Sequence, residues 1–133
     1  MSIRILIADD DLPIRRLIRR ILEEHSEWDV CGEAENGREA VAKAKALCPD
    51  LIVMDLAMPL MNGLQAAKEI RAATPAVPML LLTVQEVSTE LVSEARKVGF
   101  VGAVSKSSGS EVVAGIESIL REQRHLNSSE IPA

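Results

Sequence analysis

The 133-residue sequence predicts an α/β fold, a doubly wound (βα)5 sheet of five parallel strands with a helix after each. Three observations carry this. Short apolar runs alternate with longer stretches of helical period, as in repeated βα units. The runs Leu51-Ile52-Val53-Met54 and Met79-Leu80-Leu81-Leu82 are apolar without alternation, as expected where helices cover both faces of a sheet. Pro49, Pro59, Pro75 and Pro78 all fall between these segments, where proline costs least.

In order, strand 1 is residues 3–8, and helix 1 follows with Ile14, Leu17, Ile18, Ile21 and Leu22 at helical spacing and Asp11 as its cap. Strand 2 is 28–34, and helix 2 opens at Asn36 with Glu39 three residues on. Strand 3 is 51–54. The turn Met58-Pro59-Leu60-Met61-Asn62-Gly63 leads into helix 3, with proline setting one dihedral and Asn-Gly admitting a positive one. Strand 4 is 79–83, and helix 4 opens at Ser88 and carries Leu91, Ala95 and Val98. Strand 5 is 101–104, and helix 5 opens at Ser110 and carries Val112, Ile116, Ile119 and Leu120. Right-handed crossovers leave few arrangements of such a sheet, and the order 2-1-3-4-5 places a ligand crevice beyond the carboxyl ends of strands 1 and 3. From His125 to Ala133 periodicity lapses, so the folded domain is expected over 1–123, with 124–133 a tail or the start of a linker.

A chain of this length has room for one domain with its own core. Hydrophobic residues at 47% and charged residues at 26% place it among ordinary globular chains. A net charge of −5 disfavours nonspecific attraction to nucleic acid. Cys31 and Cys48 have no metal or redox spacing and read as reduced thiols packed as small hydrophobes. The apolar start is too short for a signal peptide and no stretch approaches a membrane span, so a cytoplasmic location without membrane contact is expected. Arg15, Arg16, Arg19 and Arg20 read as a solvated helix face paired weakly with Glu23 and Glu24, and His25 and His125 lie outside the crevice.

Chemistry gathers at one sheet edge. Asp9, Asp10 and Asp11 follow strand 1, Asp55 closes strand 3, Thr83 closes strand 4 and Lys106 follows strand 5. Carboxylates about 4 Å apart repel by about 4 kcal/mol per pair at an effective dielectric near 20, so stability alone would not select Asp9, Asp10 and Asp55 together. A hard cation resolves the conflict, and Mg²⁺, with its oxygen ligands and affinity for phosphate, suits it best. Asp55 can then act as a nucleophile toward a phosphoryl group, with Lys106 and the Thr83 hydroxyl stabilising the transferred oxygens.

The segments Ile5-Leu6-Ile7-Ala8-Asp9-Asp10, Asp55-Leu56-Ala57-Met58-Pro59-Leu60-Met61-Asn62-Gly63, Leu81-Leu82-Thr83 and Gly99 through Lys106 resemble the receiver domains of two-component response regulators over residues 3 to about 122. The resemblance implies the flavodoxin-like, CheY-like fold and a phosphoacceptor switch at Asp55. It also implies Mg²⁺ held by Asp10, Asp55 and the Ala57 backbone carbonyl, with Asp9 acting chiefly through a metal water. A sensor histidine kinase or small phosphodonor is the implied source, and homodimerisation on phosphorylation is a further expectation. Residues 124–133 resemble the segment that joins receivers of the NarL/LuxR-like class to a helix-turn-helix domain. The chain thus reads as a receiver cut from a transcription regulator, touching DNA only through an output domain that it lacks, with a stand-alone receiver as the alternative.

One position departs from the family. Where a tyrosine or phenylalanine usually stands, three residues before the lysine, this chain has Ala103, and strand parity is expected to aim Phe100 at the opposite face. Readout is therefore expected to use backbone movement around Thr83-Val84 and helix 4. A phosphorylation-independent interaction module is a second alternative. An aspartate-nucleophile phosphatase is disfavoured because its general acid, two residues after the nucleophile, is here Ala57, so no turnover of an external substrate is expected.

Overall fold

The computed structural model describes the backbone of residues 2–84 and 86–130 and the side chains within these as far as residue 123. It contains β1 (Ile3–Ala8), α1 (Leu12–Glu23), β2 (Trp28–Ala34), α2 (Gly37–Leu47), β3 (Leu51–Asp55), α3 (Gly63–Ala73), β4 (Met79–Thr83), α4 (Thr89–Val98), β5 (Phe100–Ser105) and α5 (Gly109–Glu130). The strands form one parallel sheet in the order β2-β1-β3-β4-β5, as the sequence predicts.

Alternate side chains of β1, β3 and β4 enter two separate cores. Ile5, Ile7, Leu51, Val53, Leu80 and Leu82 pack under α1 and α5 with Ile18, Leu22, Val112 and Ile116. Leu6, Ala8, Ile52, Met54, Met79 and Leu81 pack under α2, α3 and α4 with Ala40, Ala66, Ile70 and Ala95. Every residue of β3 and β4 is buried, which explains why these runs show no polar alternation.

Helix entry is set by side-chain caps that satisfy otherwise orphaned amides. Asp11 accepts from the Ile14 N–H, Asn36 from Glu39 and Ser88 from Leu91. The expected cap of α5 shifts: the helix begins at Gly109, and Ser108 rather than Ser110 accepts from the Glu111 N–H at 3.3 Å. Helical backbone also continues past residue 123, into the expected tail, to Glu130; the remainder of that tail, 131–133, and the His125 side chain lie outside the described residues.

Three further expectations are corrected. Asn62 does not take a positive φ: it caps α3 in a reciprocal box with Gln65, and the left-handed residue of the turn is Leu60, φ 69°, spanned by a Met61 N–H to Pro59 carbonyl bond of 2.7 Å. Cys48 is exposed and closes α2 in the left-handed region at φ 48°, so only Cys31 packs against the core. Phe100 is not on the opposite face from Ala103. Phe100 pairs with Met79 and Gly102 with Leu80, so Val101 is bulged out and the alternation of β5 reverses. Phe100 and Ala103 thus share the core beneath α4.

Candidate functional site

The carboxyl ends of β1, β3 and β4 and the start of the β5–α5 loop converge. Asp9 follows β1, Asp55 is the last residue of β3 and Thr83 that of β4. The Lys106 amide donates to the Thr83 carbonyl at 3.0 Å, which carries the β4–β5 ladder one residue beyond the sheet and turns the lysine over the strand ends. Asp9 is fully buried, Asp55 is 3% exposed, Thr83 is buried and Asp10 is exposed. One carboxylate oxygen from each of Asp9, Asp10 and Asp55 lies within 4.8 Å of the others.

The Lys106 ammonium sits between the two buried acids, 3.0 Å from Asp9 Oδ2 and 3.1 Å from Asp55 Oδ2. Asp9 Oδ1 accepts the Asp11 N–H at 2.9 Å. Burial pushes the Asp55 carboxyl above its ordinary range. The bonds from Lys106 and the Ala57 amide oppose this, whereas the Asp9 charge adds to it, and the net shift is upward. Burial pulls Lys106 the other way, but its bonds to Asp9 and Asp55 outweigh that and hold the ammonium protonated. One cation therefore faces three carboxylates, leaving an excess of negative charge. A hard divalent ion with oxygen ligands fits this donor set, two buried acids and one exposed acid at one mouth.

Asp9, Asp10, Asp55, Thr83 and Lys106 are brought to one sheet edge, and Ala57 follows Asp55 by two residues. Thr83 pairs in register with Ser105 and lies next to Lys106 in the ladder. Gly63 is essential to this packing: a Cβ there would lie 2.3 Å from the Asp55 carbonyl oxygen, so α3 can press on the end of β3 only without a side chain.

One part of the site escaped sequence reading. Arg15 is not solvated but 9% exposed; its Nη1 donates to the Asp9 carbonyl at 2.7 Å and its Nε to Glu33 Oε1 at 2.7 Å. Arg19 also reaches Glu33, at 2.5 Å, and keeps the expected contact with Glu23 at 3.1 Å. The available signal was spacing, because Arg15 lies three residues before Ile18 and seven before Leu22, on the buried face of α1. His25 stacks on Trp28 at the far end of α1, ring centroids 4.1 Å apart.

The response regulator receiver domain model matches residues 5–117. The chain belongs to the response regulator receiver domain family. A protein-glutamate methylesterase/protein-glutamine glutaminase of Methanococcoides burtonii is 35% identical over 97% of this chain and 37% of its own length. Transcriptional regulatory protein LnrK of Bacillus subtilis is 37% identical over 84% of the chain and 50% of its own length. A solved LuxR-family two-component response regulator from Aurantimonas sp. SI85-9A1 superposes with a TM-score of 0.86 at 32% identity, covering 92% of this chain and 87% of that one. This receiver domain thus spans between about a third and a half of the length of the two curated relatives. Among its described residues no helix is long and apolar enough to cross a membrane.

Proposed function

We propose that this receiver domain accepts a phosphoryl group on Asp55 from a sensor histidine kinase or a small phosphodonor and acts as the switch of a cytoplasmic two-component system. The observation that carries the reading is the Lys106 ammonium held between Asp9 and Asp55 inside a three-carboxylate cluster. Asp10, Asp55 and the Ala57 carbonyl would hold Mg²⁺, with Asp9 acting through a metal water. When bound, the ion supplies neutralisation of the acids and of the phosphoryl oxygens.

The chain's own groups do the rest. The Asp55 carboxylate attacks phosphorus, a carboxylate–phosphorus bond forms, and the bond from phosphorus to the donor breaks with its electron pair leaving on the donor. Lys106 and the Thr83 hydroxyl stabilise charge on the transferred oxygens. The site offers no general acid two residues beyond Asp55, so turnover of external phosphoesters is not part of the function.

Readout proceeds without an aromatic rotor. Ala103 takes that position. Phe100 pairs with Met79, four residues and about 13 Å of strand from Thr83, so it cannot follow that threonine. Backbone movement at Thr83-Val84 and α4 carries the signal, with homodimerisation as its consequence. The NarL/LuxR-like output, transcription through a DNA-binding domain beyond these residues, is supported by the LuxR-family structure and the B. subtilis regulator. A methylesterase output is the second reading, supported by the M. burtonii relative, and the domain content of the native gene product decides between them.

Intact-mass measurement after acetyl phosphate and Mg²⁺ tests the chemistry. A single phosphoryl adduct is expected on the wild type and none on Asp55→Asn. An adduct that persists in the variant, or a wild type that takes none, would show that Asp55 is not the acceptor.

A further inference from the structure

Asp9 is held at every polar atom. Its N–H donates to the Ala34 carbonyl at 3.0 Å, its carbonyl accepts from Arg15 at 2.7 Å, Oδ1 accepts the Asp11 amide at 2.9 Å and Oδ2 accepts Lys106 at 3.0 Å. Three of these bonds come from neighbours in the sheet or from the site itself. The Arg15 bond reaches the loop from beneath, out of the helix core, and a guanidinium is seldom buried without a specific partner.

That partner is Glu33, near the end of β2. Arg15 uses the two edges of its planar fork at once, Nε on Glu33 and Nη1 on Asp9. Glu33 is fixed in turn by Arg19 from the same helix, and its backbone carbonyl accepts from Lys43 of α2. Burial alone would raise the Glu33 carboxyl, yet the bonds from Arg19 and Arg15 bring it below its ordinary range, so this is a working ion pair. Because Arg15 is matched by Glu33, the pair adds little net charge to the acid cluster, and its influence is geometric.

We propose that Arg15 is a positioning residue: braced on Glu33, it fixes the Asp9–Asp10 peptide and thereby aims the Asp10 carboxylate at the cation that Asp9 and Asp55 face. The peptide unit is planar, so fixing the Asp9 carbonyl also fixes the Asp10 N–H and Cα, and with them the direction in which the exposed Asp10 side chain leaves the backbone. Asp10 is the acid of the trio that lacks burial to hold it, so it depends most on this constraint. The inference rests on the reading that Asp9, Asp10 and Asp55 hold a divalent cation.

The test measures Mn²⁺ dissociation constants by electron paramagnetic resonance for the wild type, Arg15→Lys, Arg15→Gln and Glu33→Gln, with Ile116→Val as a control that loosens the core away from the site. Lysine keeps the charge but cannot span both partners. Arg15→Lys and Arg15→Gln are expected to weaken Mn²⁺ binding about tenfold, Glu33→Gln by less, and Ile116→Val by under about twofold. In metal-free protein, the Asp11 amide should lose hydrogen-exchange protection in the Arg15 variants, a readout that does not depend on the cation. A folded Arg15→Lys that binds Mn²⁺ as the wild type does overturns the brace, and normal Lys with impaired Gln assigns the effect to charge and overturns it too. Should Arg15→Gln fail to fold, Arg15→Lys and Glu33→Gln carry the test. A wild type that binds no Mn²⁺ overturns the cation site itself and the brace with it, a result distinct from a binding wild type with unaltered variants.

Discussion

Replacing Gly63 by alanine perturbs the acceptor without touching a side chain of the site. The added Cβ would lie 2.3 Å from the Asp55 carbonyl oxygen and 3.1 Å from both the Asp55 carbonyl carbon and the Leu56 Cα. All three are backbone atoms at the end of a fully buried strand, so no side-chain rotation relieves the contact. Reaching ordinary van der Waals separation requires α3 or the end of β3 to move by about 1 Å. Overpacking of this kind costs about 1–3 kcal/mol, and the better helix propensity of alanine returns at most about 1 kcal/mol, so a net loss of about 1–2 kcal/mol is expected. At an unfolding entropy of about 2.1 cal/mol/K per residue, that lowers Tm by roughly 4–7 °C for a chain of this length. Thermal and urea melts measure the loss, and the acetyl phosphate reaction of the folded variant should slow because the Asp55 peptide is displaced. A Tm within about 1 °C of wild type together with an unchanged phosphorylation rate would refute the packing argument.

Three other perturbations have defined signs. Burial raises the Asp55 carboxyl, so its contribution to metal-free stability is present below its unfolded value and is lost as pH rises through the folded one. Asp55→Asn should therefore stabilise the metal-free protein at pH 7 and lose this advantage in acid, as urea melts at both pH values would show; equal gains at both would contradict it. Glu33 has the opposite sign, since the bonds from Arg19 and Arg15 outweigh burial and lower it: its stabilisation is present above its unfolded value and is lost as pH falls through the folded one. Glu33→Gln should cost about 2 kcal/mol at pH 7 and progressively less in acid, a trend that a pH series of denaturation curves checks. Leu60 is 74% exposed at φ 69°, so Leu60→Gly should relieve left-handed strain with little packing lost. A gain of about 0.5–1 kcal/mol in urea melts is expected, and a loss would show that the Leu60 side chain contributes more than its exposure suggests.

The sequence by itself determined the sheet order and the edge at which chemistry collects. Alternation of short apolar runs with helical repeats allows few chain paths, and parallel strands bring all their carboxyl ends to one side, so Asp9, Asp10, Asp55, Thr83 and Lys106 had to meet. Caps were legible where one side chain serves one helix start, as at Asp11, Asn36 and Ser88. Only the tertiary structure decided features that depend on a neighbour distant in sequence. The bulge at Val101 reverses the parity of β5, because register is set against β4 and not within β5. Gly63 reads as a turn glycine in sequence but is required by its approach to Asp55. Arg15 looks solvated among four arginines until Glu33 of β2 and the Asp9 carbonyl are placed beside it, since a buried charge is stable only where folding has assembled its partners.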